Sequence, residues 1–408
     1  MRRLPSAVLA ALLLAACGQP GPTWHGEIAP IVERSCSGCH AFDERTAPRQ
    51  AQRMLARVEA GEMPPYLPGP GSLPFANDPR LSAGELALLR AWAADPELGT
   101  PRPRVPEPAT VYETEPYQAT GERDEVHCFV LHPAPGRVVG YHWIGVGAHH
   151  FSADVIAAKD VPRLPGRRDW DCTAAASGVP AKAALNSTAP GAPFAYPPGY
   201  GVELALGDAL LLYAHLVPSE IRAPSRYGIA VETTEQPIRP ALSYGWSAPA
   251  ELRCPPSVAD QPQCSLADAQ RRQIRGDGVP DPAEHVARCG AQTFGPELAG
   301  RYPITSGCSV ELPPGQNRLL GVRAHTHALG TALRVTSGGR TLLSIPRWDY
   351  RFEQTYVPAE PVTVSGSARC ECEWDNGTAR GTPQRVLFGL GKSDNMCVCS
   401  LELANDPL

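Results

Sequence analysis

Residues Arg318–Ala332 read RLLGVRAHTHALGTA, and Gly201–Leu216 read GVELALGDALLLYAHL. Both predict strands, as does Gln384–Leu390. From Val111 onward the chain keeps this texture: short alternating runs broken by Gly/Pro turns, with little helical periodicity and no evident internal repeat. The pattern predicts antiparallel β-sandwich architecture. The same two runs carry histidine. His215 stands in an apolar run where an imidazole is hard to explain as packing. His325 and His327, two apart on a strand, fall on one face, as a metal site requires.

The 408 residues predict two or three domains. The 38 glycines and 45 prolines make about a fifth of the chain, below the roughly 25–30% that signals disorder. A net charge of −5 leaves no basic footprint, which excludes nucleic-acid binding. Thirteen cysteines are many for a cytosolic protein, and the number is odd.

The N-terminus explains part of that count. Met1-Arg2-Arg3, a short apolar run and Leu14-Ala15-Ala16-Cys17 form a secretory signal, residues 1–17. The ending resembles a bacterial lipobox, in which Cys17 is lipidated and becomes the mature N-terminus. No other stretch reaches the roughly 18 apolar residues of a membrane span. The expectation is a soluble protein of the bacterial cell envelope, facing the periplasm or on the outer membrane. Only the lipid touches the membrane, and the oxidising compartment lets disulfides persist.

Cys36-Ser37-Gly38-Cys39-His40 is the c-type haem pattern: two thiols for the vinyl groups and His40 for the iron. Glu27–Ser35 predicts a helix entering the motif, and Ser82-Ala83-Gly84-Glu85 a capping box opening another. Leu86, Leu88, Leu89 and Trp92 are available for its core. Met63, before Pro64 and Pro65, is the candidate sixth ligand, while Met54 reads as core packing. Residues 24–98 resemble the small cytochrome c domains fused to bacterial oxidoreductases. The proline-rich residues 99–110 read as a semi-rigid linker.

A second histidine group, His149-His150, is adjacent in sequence, so both can serve one metal only at a bulge or strand end. Near the C-terminus stands Asp394-Asn395-Met396-Cys397, and a thioether joined to two imidazoles is a soft set that favours Cu(I). With these residues in order, the region from about Val126 to Leu403 resembles the copper type II, ascorbate-dependent monooxygenases. That family includes peptidylglycine α-hydroxylating and dopamine β-monooxygenases. The resemblance implies one copper on His149, His150 and His215 and a second, catalytic copper on His325, His327 and Met396. It implies two jelly-roll-like β-sandwiches, 111–236 and 237–404, facing each other across an open cleft, with an insertion at about 250–300. It also implies that Arg323 binds a substrate carboxylate, although the family's Tyr four residues after the Met is Ser400 here.

Removing Cys17, Cys36 and Cys39 leaves ten cysteines. The resemblance implies Cys128–Cys172, and Cys370–Cys397 beside the Met ligand, with Cys372–Cys399 as a parallel second bridge. Cys254 with Cys264 and Cys289 with Cys308 remain, their connectivity open.

The function so implied is hydroxylation of an activated C–H bond of a small organic substrate with O2, using two copper ions. Ascorbate or another donor supplies the electrons, the haem c relays them, and a periplasmic electron-donor protein is an expected partner. The alternative is a non-catalytic haem c electron-transfer lipoprotein with a copper-binding β scaffold. Trp348-Asp349-Tyr350-Arg351-Phe352 reads either as a pocket wall for an aromatic substrate or as core.

Overall fold

A computed structural model describes residues 21–37, 40, 42–101, 109–145, 147–166, 168–172, 178–188, 193–221, 223–275, 282–289, 304–350, 353–376 and 383–405. Cys17, Cys39, Arg351, Phe352 and most of the proline-rich linker lie outside these residues.

Three helices come first: α1 (Ala29–Cys36), α2 (Ala47–Glu59) and α3 (Ala83–Ala94). Pro30 sits in the first turn of α1, where its missing N–H has no partner to lose. At the start of α3 the expected capping box is formed: Glu85 N donates to Ser82 Oγ (3.2 Å) and Ser82 N to Glu85 Oε2 (2.8 Å). Leu89 and Trp92 bury against Trp24, Ile28, Val32, Ala51 and Met54.

These helices do not close a self-contained all-α unit. Between α2 and α3 the chain runs through turns and bends without regular structure, and its Tyr66, Leu73 and Phe75 belong to the core of the C-terminal sheets. Backbone bonds fix this strap: Gly69 N donates to Ser344 O (2.7 Å), Leu73 N to Leu342 O (3.1 Å) and Ala76 N to Val357 O (2.8 Å).

The rest is mostly β. The first set of strands is β1 (Ala109–Glu113), β2 (Glu125–Leu131), β3 (Gly136–Ile144), β4 (Ala148–Ile156), β5 (Asp169–Asp171), β6 (Ala183–Thr188), β7 (Phe194–Ala195), β8 (Tyr200–Leu204), β9 (Ala209–Leu216), β10 (Gly228–Thr234) and β11 (Arg239–Pro240). They form two sheets, β1-β10-β3-β8-β11 with β7 on β3, and β5-β2-β9-β4-β6. Every pairing is antiparallel except the two-residue β8–β11 contact. One core lies between the sheets, with Phe129, Trp143, Phe151, Leu210, Leu212 and Ala214 among its members.

A second set follows: β12 (Leu242–Ser247), β13 (Ile304–Glu311), β14 (Asn317–His325), β15 (Gly330–Ser337), β16 (Arg340–Ile345), β17 (Val362–Val364), β18 (Ser367–Trp374) and β19 (Val398–Asn405). Its antiparallel sheets, β12-β19-β14-β17 and β13-β18-β15-β16, share another core. The insertion carries two short helices, α4 (Leu266–Arg272) and α5 (Pro282–Cys289).

The run Gly201–Leu216 becomes β8 and β9, parted at Gly207, whose φ of +86° suits only a residue without Cβ. Gln384–Leu390, by contrast, is not a strand. Val386 exchanges bonds with Leu252, Leu390 N donates to Ile274 O, and Gly389 N donates to Asn395 O. The partner changes every few residues, so no ladder propagates.

All ten remaining cysteines are bonded. Cys128–Cys172 forms as the resemblance implies, and the four cysteines whose connectivity was open pair as Cys254–Cys264 and Cys289–Cys308. The pairing beside Met396 is corrected: Cys370 bonds Cys399 and Cys372 bonds Cys397. The expected register suits two segments running the same way. Here first pairs with last, and the two strands belong to facing sheets rather than lying side by side.

Candidate metal centre

Period-two alternation explains why histidine sits in apolar strands. On β9, Leu210, Leu212 and Ala214 point into the first core, so Leu211, Tyr213 and His215 share the opposite face. On β4, Phe151 points inward and His150 outward, directly across from His215. The register shifts between Ala148 and His150, a bulge that reorients His149 and lets adjacent histidines serve one site. On β14, Val322 and Ala324 enter the second core while Arg323 and His325 face outward. His327 lies just beyond the strand end. The histidine-bearing faces of the two sheet pairs meet.

The meeting is close. Centroids of His149, His150 and His215 lie 5.0–5.5 Å apart, and those of His325 and His327 are 5.1 Å apart. Across the two groups, His150–His325 is 5.0 Å, His215–His327 is 6.1 Å and His149–His325 is 6.4 Å. The resemblance implies two separate clusters across an open cleft. The structure instead has one continuous cluster in which His215, His325 and His327 are almost fully buried. Ligand atoms of His150, His325 and Glu353 all lie within 4.8 Å of one another, a set that takes a histidine from each group.

Four buried ring nitrogens in this cluster lack a hydrogen-bond partner, His149 Nε2, His150 Nδ1, His325 Nε2 and His327 Nε2, while His215 Nε2 faces the Asp124 carboxylate. The partners of the other nitrogens explain two of these. His325 Nδ1 lies 2.8 Å from Glu353 Oε2, and His327 Nδ1 is 3.3 Å from the carbonyl of Asp394. A carbonyl or a carboxylate only accepts, so each Nδ1 keeps its proton and each Nε2 presents a lone pair. Burial, then the charge of neighbouring histidines, lowers His149 to about 3 and pushes His150 and His327 well below the usual imidazole range. Neutral imidazoles with free lone pairs are the form that binds a metal. The donor set fits copper.

Glu353 was not foreseen. It is 1% exposed, pairs with Arg323 Nη1, and lies 3.9 Å from His150 Nδ1. Burial pushes its carboxyl up, but the charges of His325 and Arg323 outweigh this and hold it at about 2. Nothing in the sequence marks Glu353, because its partners are 28 and 30 residues away. Arg323 also donates from Nε to Ser400 Oγ (3.2 Å). The guanidinium expected to take a substrate carboxylate therefore already has an internal one. Asp124 is a second unforeseen neighbour, its Oδ2 3.5 Å from His215 Nε2.

Met396 is partly buried against the second core. The backbone around it is clasped to the His-x-His segment through Thr326. Its hydroxyl donates to the Met396 carbonyl (2.5 Å), and Trp374 Nε1 donates to that hydroxyl (2.7 Å). Asn395, fully buried, anchors the loop from the other side by donating to Ala250 O (3.0 Å). The Cys372–Cys397 bond fixes the next residue.

The aromatic stretch is divided. Trp348 is buried in the second core and lies 6.2 Å edge-on from His325, while Tyr350 lies 5.4 Å from His149.

Of the residues expected to hold haem, the described Cys36, His40 and Met63 line a separate, largely apolar cavity of about 500 Å³, and Cys39 lies outside the described residues. Cys36, His40, Met63, Met54, Val58 and Pro65 form its wall. Its volume falls within the range of small-molecule and cofactor sites, and a thiol, an imidazole and two thioethers face one space, so the described residues fit the group. Both methionines reach the cavity.

No family model matches the chain, and no curated protein does. Among solved structures, the major capsid protein P2 of bacteriophage PM2 is 8% identical with a TM-score of 0.26, covering 73% of this chain and 97% of its own. An allantoicase is 11% identical with a TM-score of 0.17, covering 66% and 84%. The PBSX exported protein XepA is 8% identical with a TM-score of 0.18, covering 82% and 94%. Likenesses this low carry no argument about fold or function.

Proposed function

We propose that this chain is a copper-dependent monooxygenase that hydroxylates an activated C–H bond of a small organic substrate with O2. In this reading it belongs with the ascorbate-dependent type II copper enzymes, as two jelly-roll-like β-sandwiches behind a small c-type cytochrome segment. It is anchored in the bacterial envelope through Cys17. The supporting observation is the convergence of five imidazoles, four of them with a buried ring nitrogen that has no hydrogen-bond partner, with His325 and His327 each held by a partner at Nδ1.

Copper, when bound, supplies the one-electron steps that activate dioxygen, and a thioether ligand favours its reduced form. The chain does the rest. Glu353 holds the proton on His325 Nδ1, and Arg323 balances its charge. Thr326 and the Cys372–Cys397 bond hold the Met396 backbone beside the His-x-His segment. His149, His150 and His215 would hold the second ion, and Cys36, Cys39, His40 and Met63 the haem that relays electrons from ascorbate or a periplasmic donor.

One observation favours the second reading, a haem c electron-transfer lipoprotein with a copper-binding scaffold: the tight His150, His325 and Glu353 set resembles a single site. Metal analysis, EPR and oxygen uptake on the purified protein separate the two. One haem, two non-blue coppers and substrate-dependent uptake with a hydroxylated product support the oxygenase. One copper with no uptake supports the scaffold, and no copper refutes both.

A further inference from the structure

The strap between α2 and α3 joins the cavity to the histidine cluster. Met63 and Pro65 are in the cavity wall, and the next residue, Tyr66, is 1% exposed inside the second core. Tyr66 has a φ of +61°, a left-handed conformation that a bulky residue adopts only where its surroundings impose it. Those surroundings are specific. Tyr66 donates its hydroxyl to the carbonyl of Ala324 (2.7 Å), the residue before His325, and its own carbonyl accepts from the Tyr356 hydroxyl.

Its ring meets Trp348 edge-on at 4.7 Å between centroids, and Trp348 in turn meets His325 at 6.2 Å. Trp348 Nε1 is buried without a hydrogen-bond partner, so hydrogen bonding does not account for an indole there. Apolar bulk alone would be met by leucine or methionine.

We propose that Tyr66 and Trp348 form the electron path from the Cys36/His40 cavity to the copper ligand His325. The proposal rests on the haem and copper reading above. Two routes leave Tyr66: ring to ring through Trp348, and through its hydroxyl to the Ala324 carbonyl and the following peptide. With haem and copper bound, one electron would pass along this path from ferrous iron to cupric copper, leaving ferric iron and cuprous copper. No bond forms or breaks, and both rings stay closed-shell, serving only as the medium between the centres. The strap thus explains why an irregular segment of a helical region is built into a β core: docking fixes the distance between the two sites.

The test uses the holoprotein without oxygen. The haem is reduced rapidly, and its ferrous absorbance and the cupric EPR signal are followed as the electron redistributes. Trp348→Leu and Tyr66→Leu are expected to slow haem reoxidation by about tenfold or more, whereas Trp348→Phe and Tyr66→Phe stay within about twofold of wild type. Trp348→Met, closer in length to the indole, stands in for the leucine variant where that does not fold. Phe75→Leu, in the same core but off the path, is expected to leave the rate unchanged. Unchanged rates in both leucine variants with haem and copper fully loaded would overturn the path alone. Equal slowing in Phe75→Leu would assign the effect to docking and also overturn it. A wild-type protein lacking haem or copper would overturn the functional reading and the path with it.

Discussion

Glu353→Gln separates the two roles assigned to this buried carboxylate. The substitution keeps the side chain's shape and removes its charge. Arg323, 8% exposed, would then keep only neutral acceptors, the glutamine amide oxygen and the Ser400 hydroxyl at 3.2 Å. Stripping one member from a buried ion pair costs about 3–5 kcal/mol, because the remaining charge stays desolvated. His325 meanwhile loses the anionic acceptor 2.8 Å from its Nδ1. Loss of such a partner weakens metal binding by about 10–100-fold, equivalent to about 1.4–2.7 kcal/mol. Denaturant unfolding of the metal-free protein reads the first effect, and competitive copper titration reads the second. The double variant Arg323→Met/Glu353→Gln removes both charges, so stability is expected to return while copper affinity stays low. If the double variant regains affinity together with stability, Glu353 is only a counter-ion for Arg323. Wild-type stability and affinity in Glu353→Gln itself would refute the whole assignment.

Thr326→Val leaves the Trp374 indole and the Met396 carbonyl without their shared partner. It is expected to lose about 1–3 kcal/mol and to weaken copper binding at the Met site, as read by unfolding and copper titration. Opening the Cys372–Cys397 bond with a Cys372→Ser/Cys397→Ser pair leaves the enclosing Cys370–Cys399 bond in place, so only the short loop of a few residues between the two bridges is freed, and the expected loss is about 2 kcal/mol rather than that of a long loop. Urea unfolding of the variant reads that loss, and peptide mapping of the wild type should recover Cys370 joined to Cys399. His127 predicts a pH dependence away from the metal centre. Burial pushes its pKa down, but Glu125 and, at 3.0 Å, Asp169 outweigh that and leave it raised. A raised folded-state pKa gives stability that is full below the unfolded value near 6.5 and is lost as pH rises through the folded value. Urea unfolding from pH 6 upward should show this decline in the wild type, and its absence in His127→Gln would verify the source.

Much of the site was legible because the chemistry is carried by rare residue types. His149, His150, His215, His325 and His327 stand out in apolar strands, and the structure brings all five together. The need for a bulge at His149 followed from strand periodicity alone, and the bulge is there. Glu353 and Asp124 were illegible, because an acid next to an ordinary strand or loop gives no sign of which distant imidazole it will face. The crossed Cys370 and Cys372 bonds failed for a related reason: i, i+2 spacing gives the shared face but not the direction of the partner segment.

The sequence by itself determined the period-two β texture, the set of ten disulfide cysteines, the capping box at Ser82 and the residue types of both candidate cofactor sites. Each follows from local spacing, which the pleat or the helical turn converts directly into a face. Only the tertiary structure decided that the two histidine groups form one continuous cluster, that Arg323 is already paired, and that Tyr66 carries a helical region's strap into a β core. Those outcomes depend on how sheets far apart in the chain meet, and the physical reason is burial. A desolvated charge or polar hydroxyl must find its partner wherever the packed faces bring one, and no local pattern records that meeting.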